Sequence, residues 1–413
     1  MAQIINTRSP FYIRVSETDL STATLSIYIY TGDSTLTPPS SYLKYTITKA
    51  SGIIGSEDIV FEISELVRDY VDIYYDGEYD SQCVWVTAKT EKFEEDGTSL
   101  GSHTVSLLGV NGFGYHYEGI KEVASSSDNT IKYIGAEFDE GLMMSNATIY
   151  RVSDRSINIP IYKDTANSVS FFNNGDLIRT VTIAKDTIDT DSQIQYIASD
   201  GNSEADNYRE RVLEAGGVFE NNSLLEAFED SFDIGEVDEV YVNYTVGTEV
   251  NEDSQTVTNT ATHVLKVKTF DCSKYEPIRV TFVNKFGALQ DMYFTKRSNE
   301  SMSVSTEDYK ASLIDFSSSV SYDTSAHQMR TLNLMGKESI TLNTDYIDES
   351  CNEHIKQLML SEKVWMTRLT DEEKVVPLKV KSNSLQLKKR VNDKLIQYTM
   401  EFDVAADMIN NIR

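Results

Sequence analysis

The stretch KLIQYTMEFDV, residues 394–404, decides how this chain folds. Its apolar residues fall on every second position, from Ile396 through Met400 to Val404, and polar residues lie between them. A period of two predicts a β-strand with one buried face and one solvent-exposed face. Such a strand must pair with another, and the sequence leaves open whether that partner lies in this chain, in a second copy or in a larger assembly.

The same alternation recurs through the first part of the chain. Residues 22–30, TATLSIYIY, alternate in this way, and residues 81–93, SQCVWVTAKTEKF, place Trp85 on one face with Cys83 and Thr87. About seven such strands, separated by turn residues, predict an immunoglobulin-like or fibronectin-like β-sandwich. Trp85 is the candidate plug of its core.

Three sections are predicted, and the fold class is mainly β with tandem antiparallel β-sandwich domains. Residues 1–122 form an N-terminal arm and the fibronectin-like sandwich, and the small polar residues at 123–130 indicate a linker. Residues 123–297 form a second β-rich domain with an acidic insertion at about 186–236. Residues 298–413 form an α+β module of one helix on an antiparallel sheet.

The helix of the C-terminal module is predicted within YIDESCNEHIKQLMLSEK, residues 346–363. Asp348 and Ser350 are both candidates for its N-cap, and Glu353 suits the first turn. We expect His354 to be partly exposed. A helical period places these apolar residues on one face: Ile347, Cys351, Ile355, Leu358 and Met359.

Composition excludes several classes of protein. The 413 residues include 65 acidic and 37 basic side chains, for a net charge of −28. This charge argues against wrapping DNA or RNA, because phosphates are bound by Lys and Arg, and equally against an anionic membrane surface. No apolar run is long enough to predict a membrane span, and the start lacks the pattern of a secretion signal. The three cysteines predict buried thiols in a protein made in the cytoplasm.

No motif for catalysis or cofactor binding is found, and no residue is predicted to be catalytic, to bind a cofactor or to ligate a metal. The glycines of GVNGFGYHYEG, residues 109–119, lack phosphate-loop spacing and are interpreted as a relaxed turn that enters a strand. No zinc-site spacing occurs among the five histidines. They are His103, His116, His263, His327 and His354.

Acids and amides alternate in the predicted insertion, as in some calcium loops. From Asp200, however, the sixth residue is Ala205, where an EF-hand requires glycine. A solvated acidic loop is favoured over an irregular cation site. The residues concerned are Asp189, Asp191, Asp200, Asn202, Glu204 and Asp206.

A basic cluster lies in the predicted hairpin 379–394. Lysines along a hairpin protect an exposed sheet edge, or they dock on an acidic neighbour such as the insertion of another copy. We favour edge protection and keep docking as the alternative. The cluster comprises Lys379, Lys381, Lys388, Lys389, Arg390 and Lys394.

Four segments resemble the virion structural proteins of tailed bacteriophages. They are INTRSPFYI at 5–13, KYEPIRVTFVNKFGALQDMYFTKRS at 274–298, ESITLNTDYIDESCNEHIKQLMLSEKVWM at 338–366, and the closing strand and tail at 391–413. The resemblance implies a structural subunit of the neck, tail or baseplate, made in the host cytoplasm, located in the virion and assembled in a ring. It transfers no functional residue.

The leading hypothesis is therefore a non-enzymatic virion subunit that forms homo-oligomeric rings. Its expected partners are copies of itself and other virion structural proteins, with no membrane and no specific nucleic acid. An acidic surface also suits a channel through which DNA slides, since it repels phosphates. The predicted contact regions are the arm at 1–10, which we expect to stay loose without a partner, the insertion at 186–236 and the basic hairpin at 379–394.

The two alternative functions are a carbohydrate-binding adhesin and an enzyme. An adhesin or carbohydrate-binding module would stack sugars on loop aromatics such as IYIY at 27–30, DIYYDGEYD at 72–80 and FGYHY at 113–117. Cross-strand packing of these tyrosines is the favoured interpretation. An enzyme is the least favoured reading, because abundant acids are its one supporting feature.

Overall fold

The chain is mainly β, with several antiparallel sheets and one short helix near the C-terminus, as predicted. The computed structural model describes residues 3–32, 38–51, 58–80, 82–124, 129–136, 138, 141–152, 155–184, 193–199, 237–250, 256–270, 274–317, 319–369, 374–382, 384, 386 and 395–408.

The first section is a β-sandwich, which confirms the prediction. One sheet has five strands in the order β1-β7-β6-β3-β4, and the other has four in the order β5-β2-β9-β8. Leu25 and Val86 of the first sheet meet Ile13 and Phe61 of the second in one core. A short helix, α1 (Ser64–Arg68), follows β5. The strands are β1 Gln3–Asn6, β2 Phe11–Ser16, β3 Thr22–Tyr30, β4 Leu43–Ala50, β5 Asp58–Glu62, β6 Cys83–Phe93, β7 Ser99–Val110, β8 Lys121–Ala124 and β9 Asn129–Tyr133.

Two sequence predictions about this section are wrong. The N-terminal arm is not loose at residues 3–10, because β1 pairs in parallel with β7 and buries Ile5 completely. The linker predicted at 123–130 overlaps two strands, since β8 and β9 form a hairpin and β9 pairs with β2. Val123, Ala124 and Thr130 thus lie on paired strands, and the first sandwich extends beyond residue 122.

The second section also packs two sheets together. A five-stranded sheet in the order β10-β16-β15-β12-β13 faces the pair β11-β14, with Phe171 and Ile159 in the core between them. Strand β14 lies within the insertion predicted at 186–236, and that prediction is wrong at 193–199, because Ile194 to Ala198 pair with β11. The strands are β10 Thr148–Val152, β11 Asn158–Tyr162, β12 Ala166–Asn173, β13 Asp176–Thr182, β14 Ile194–Ala198, β15 Glu239–Val250 and β16 Thr256–Phe270.

The C-terminal module is a helix on an antiparallel sheet, as predicted. Its main sheet has seven strands in the order β18-β17-β22-β23-β25-β20-β19, and α2 (Asn352–Leu360) packs on one face. Strands β21 and β24 form a separate antiparallel pair. The closing strand β25 pairs with β20 and β23, so its partners lie in this chain. The boundary predicted at 297/298 falls inside this sheet. The strands are β17 Ile278–Val283, β18 Leu289–Phe294, β19 Asn299–Lys310, β20 Met329–Asn343, β21 Ile347–Asp348, β22 Val364–Arg368, β23 Val375–Val380, β24 Leu395–Ile396 and β25 Thr399–Val404.

Helix α2 differs in detail from its prediction. Cys351, Ile355 and Leu358 are buried as expected, but Ile347 lies on β21. A 3₁₀ turn at Glu349–Cys351 precedes the helix, so the cap position falls on Cys351, and no side chain of Asp348 or Ser350 caps it. His354 is buried rather than partly exposed, because its ring packs against Phe282 of the sheet.

Trp85 occupies a core that joins all three sections. Odd and even residues of β6 face different cores: Val86 packs inside the first sandwich, whereas Trp85 packs on the outer face of the same sheet. There it belongs to one buried cluster with Phe138 and Tyr162 of the second section and Ala288 of the turn between β17 and β18. Trp85 is therefore a plug between sections, and the prediction that it fills the first sandwich is wrong.

The glycine-rich loop after β7 is a close-packed junction. An added Cβ at Gly114 would lie 2.5 Å from the backbone N of Gly135, so only glycine fits at this position. The loop continues into a 3₁₀ turn, His116–Glu118, and not into the strand that we predicted.

Candidate interaction surface

The longest strand pair of the C-terminal module projects from its sheet. We call it the exposed hairpin: β19, β20 and the connecting residues 311–328. Its register runs without interruption from Asn299↔Thr341 to Glu307↔Asn333, and a bulge follows before the pair Lys310↔Met329. A long antiparallel ladder of this kind carries the chain away from the helix-covered part of the sheet.

The exposed hairpin contains an unusual share of the exposed apolar side chains. All of β19 is exposed, and so is β20 from Met329 to Met335. Of the 26 large hydrophobic residues that are exposed among the described residues, 11 lie here. Single exposed apolar residues are normal on a soluble protein, but a concentration of them marks an interaction surface. The set is Met302, Val304, Tyr309, Ile314, Phe316, Val320, Tyr322, Met329, Leu332, Leu334 and Met335.

One face of the exposed hairpin continues the core face of the sheet. Ile340 and Leu342 of β20 are buried in the core beneath α2. Residues that are an even number of positions apart on a strand lie on the same face. Leu334, six positions before Ile340, therefore lies on this face as well. The register pairs Met302 with Glu338 and Val304 with Gly336, so Met302 and Val304 of β19 lie on this face too. The apolar face thus extends beyond the area that the helix covers.

The base of the exposed hairpin is firmly held. Glu300 forms an ion pair with Arg368, and Ser339 Oγ donates to Asp403 Oδ1 at 2.6 Å. Asn343 Nδ2 donates to the carbonyl of Arg297 at 2.7 Å. The first two contacts tie β19 and β20 to β22 and β25, and the third closes the base of the hairpin itself. The exposed strands therefore leave a rigid support, which is what a docking element needs.

The outer edge of β19 is a second potential contact. Among the described residues β19 pairs with β20 alone and ends the seven-stranded sheet. A strand in this position presents main-chain N–H and C=O groups that can accept an added strand. Apolar side chains and free backbone groups occur together on this element.

The tip of the exposed hairpin is ordered by local turns. Asp315 and Ser321 form a β-bridge, and the backbone N–H of Ser317 donates to Asp315 Oδ1 at 2.8 Å. At Asp323 the backbone N–H of Ser325 does the same at 2.8 Å. These backbone hydrogen bonds hold the pKa of both carboxyl groups below the ordinary value. The turns present Phe316 at the surface, with 74% of it exposed.

The structure places the three contact regions predicted from sequence in different environments. The arm at 1–10 is integrated in the first sandwich from residue 3 onward. Most of the insertion at 186–236 lies outside the described residues. The predicted hairpin 379–394 begins on β23, which lies between β22 and β25 and is not an edge strand. The interpretation that Lys379 protects a sheet edge is therefore wrong. Lys381 contacts Asp403 of the neighbouring strand at 3.4 Å. Lys388, Lys389, Arg390 and Lys394 lie outside the described residues.

The loop tyrosines considered for sugar binding are mostly packed. Tyr30 and Tyr75 are buried, and the hydroxyl of Tyr115 donates to Glu353 Oε1 at 2.6 Å. Tyr74 and Tyr117 are exposed, and they lie in different loops. Tyr30 lies on β3, as cross-strand packing requires, whereas Tyr75 and Tyr115 are buried outside the strands.

Across the described residues, no three His, Cys, Asp or Glu side chains group closely enough to hold a metal ion. The acids for which a solvated loop was favoured over an irregular cation site lie outside the described residues, as does Cys272. They are Asp189, Asp191, Asp200, Glu204 and Asp206. No helix in the described part of the chain is both long and apolar enough to cross a membrane.

A small cavity of about 40 Å³ lies beside α2, and Cys351 and His354 both line it. Burial raises the pKa of Cys351 to about 12, so this thiol stays protonated at neutral pH. A protonated thiol is a poor nucleophile, and the pair does not supply a thiolate for catalysis.

Because His354 is buried, we expect the free energy of unfolding to depend on pH. Burial lowers its pKa from 6.5 to about 4. Below pH 6.5 the unfolded chain takes up a proton that the folded chain does not, so stability present above that pH is lost as the pH falls toward 4. The full loss is about 3 kcal/mol. We expect His354→Gln to lose this part of the pH dependence in urea unfolding measured at pH 7, 6 and 5.

The matched control is His327→Gln, because His327 is exposed in the tip of the exposed hairpin. This variant should follow the wild-type pH profile. An unchanged profile in His354→Gln would show that the buried imidazole does not govern the acid response.

No protein-family model matches this chain, and no curated protein matches it.

Proposed function

We propose that this protein is a non-enzymatic structural subunit of a tailed-phage virion that assembles into a ring. Its place would be the neck, tail or baseplate, in contact with copies of itself and other virion proteins. The observation that carries the proposal is the exposed hairpin, where a rigid base supports an apolar face and an unpaired strand edge. Strand addition uses both features, because backbone groups give affinity and side chains give specificity.

The resemblance to virion proteins supports the same role. Three of the segments that carry it, 274–298, 338–366 and 391–413, contribute β17 and β18, α2 and β22, and β25 to the C-terminal module. The exposed hairpin grows from the sheet of this module. The part of the sequence that resembles virion subunits and the surface suited to assembly therefore belong to one structural unit.

Shortening the exposed hairpin is expected to abolish assembly. Ser301 and Ser339 are paired residues, so replacing residues 302–338 with Asn-Gly joins them through a two-residue turn. We expect the full chain to form rings in electron microscopy and the shortened chain to have the mass of one chain by light scattering. A far-ultraviolet circular dichroism spectrum that keeps its β signal shows that the shortened chain is folded.

A point variant tests the apolar face without a deletion. Met302→Lys with Val304→Lys places charge on that face, and Ser303→Lys with Ser305→Lys places the same charge on the opposite face. The first pair should block assembly more strongly than the second. A wild-type chain that remains monomeric at every concentration, or that is absent from purified virions, would refute the proposal.

A further inference from the structure

The strand β4 differs in charge from the other sheet edges. It carries Lys44 and Lys49 and no acid. Among the other outermost strands of the described sheets, only β10 has a net positive charge, and its Arg151 is completely buried. The remaining outermost strands are neutral or acidic. In a chain of net charge −28, an exposed edge with two lysines is a distinct feature.

The surroundings of β4 are suited to an added strand. Among the described residues β4 pairs with β3 alone and ends its sheet. Lys44 Nζ lies 5.7 Å from the ring centre of Tyr70, and Lys49 Nζ donates to the carbonyl of Val60 at 2.8 Å. An apolar rim surrounds the two lysines and is exposed to solvent. It consists of Tyr42, Leu43, Val60 and Tyr70.

The edge strand β19 has the opposite charge. Beyond Glu300, which is paired with Arg368, it contains Glu307 and Asp308 against Lys310, and its apolar residues Met302 and Val304 are exposed. An acidic strand with an apolar face thus complements a basic edge with an apolar rim. Opposite charges on adjacent strands stabilise their pairing and select the partner.

We propose that β19 of one copy adds to the edge of β4 in the next copy. This inference rests on the proposed function and names the surface that the exposed hairpin binds. The two edges lie on different sheets of the same chain, so the contact is head-to-tail. Repeated contacts of this kind close into a ring when the rotation between copies permits it.

Charge reversal on either side tests the pairing in the full chain. The edge variant carries Lys44→Glu and Lys49→Glu, and the hairpin variant carries Glu307→Lys and Asp308→Lys. Each variant places charges of the same sign opposite each other across the contact. It should therefore weaken self-association at least about tenfold. Equimolar mixing should restore assembly, because each variant then meets a partner of opposite charge on both sides. Sedimentation velocity measures the three samples and the wild type.

The matched control is Lys266→Glu with Lys274→Glu, which changes the net charge equally at exposed lysines away from β4. It should assemble like the wild type. If the edge variant alone also assembles like the wild type, or if mixing restores nothing, β4 is not the partner and this inference fails. A wild-type chain that never self-associates removes the proposed function itself, so the two failures are distinct.

Discussion

Replacing Trp85 with alanine is expected to lower the free energy of unfolding by about 3–5 kcal/mol, the usual loss when a large buried aromatic side chain is truncated. Trp85 is 2% exposed and shares a buried cluster with Phe138, Tyr162 and Ala288. Because these neighbours belong to the other sections, the cavity would open at the junction and not inside one sandwich. Urea unfolding followed by circular dichroism measures the loss.

The same position offers a milder variant as a control. No described protein atom accepts a hydrogen bond from Trp85 Nε1, so Trp85→Phe removes volume without breaking such a bond. We expect a loss of about 1–2 kcal/mol for this variant. Equal losses for alanine and phenylalanine would show that the aromatic packing at the junction is not what stabilises it. Tyr74→Ala, at an exposed loop residue, should change stability by less than about 0.5 kcal/mol.

Elements with one buried face could be predicted from the sequence. Leu25, Ile27 and Ile29 are buried on one face of β3, and the alternation of β25 has the same cause. A glycine between two strand segments is likewise a local turn signal, and Gly287 adopts a φ of 81°, which favours glycine, in the turn between β17 and β18. In each case a local pattern coincides with the tertiary environment, which is what a single sequence can express.

Interactions between distant segments were not predictable. Strand β6 is buried on both faces, so alternation could show that Trp85 and Val86 face apart but not which core receives each. The parallel pairing of β1 with β7 joins residues more than a hundred positions apart, and the polar composition of the arm concealed it. The pairing of β9 with β2 was hidden for the same reason, because these two strands also lie more than a hundred residues apart in the sequence.

The candidate surface had a weak signal in the sequence. Met302 and Val304 alternate with serines in β19, as do Leu332 and Leu334 with polar residues in β20. Because neither face of this hairpin is buried, the pattern is diluted by Ser, Thr, Asn and Glu, and no strand was predicted at 299–310. The role that we propose for it depends on exposure, and exposure becomes visible only when the fold shows which strands remain uncovered.

Replacing Phe402 with alanine is expected to cost about 3–5 kcal/mol of stability. Phe402 is completely buried, and its ring meets that of Phe294 edge to face with 6.2 Å between the centroids. Its strand pairs with both β20 and β23, so the cavity would lie in the middle of the seven-stranded sheet. The base of the exposed hairpin depends on that sheet, and assembly should weaken together with stability.

The adjacent residue supplies the control, because a period of two places Glu401 on the opposite, exposed face of β25. Glu401→Ala should therefore change the free energy of unfolding by less than about 0.5 kcal/mol. Urea unfolding of both variants under one set of conditions compares them directly. A loss at Glu401 as large as that at Phe402 would mean that the closing strand does not separate a buried face from a solvent face. The alternation of KLIQYTMEFDV would then have another cause.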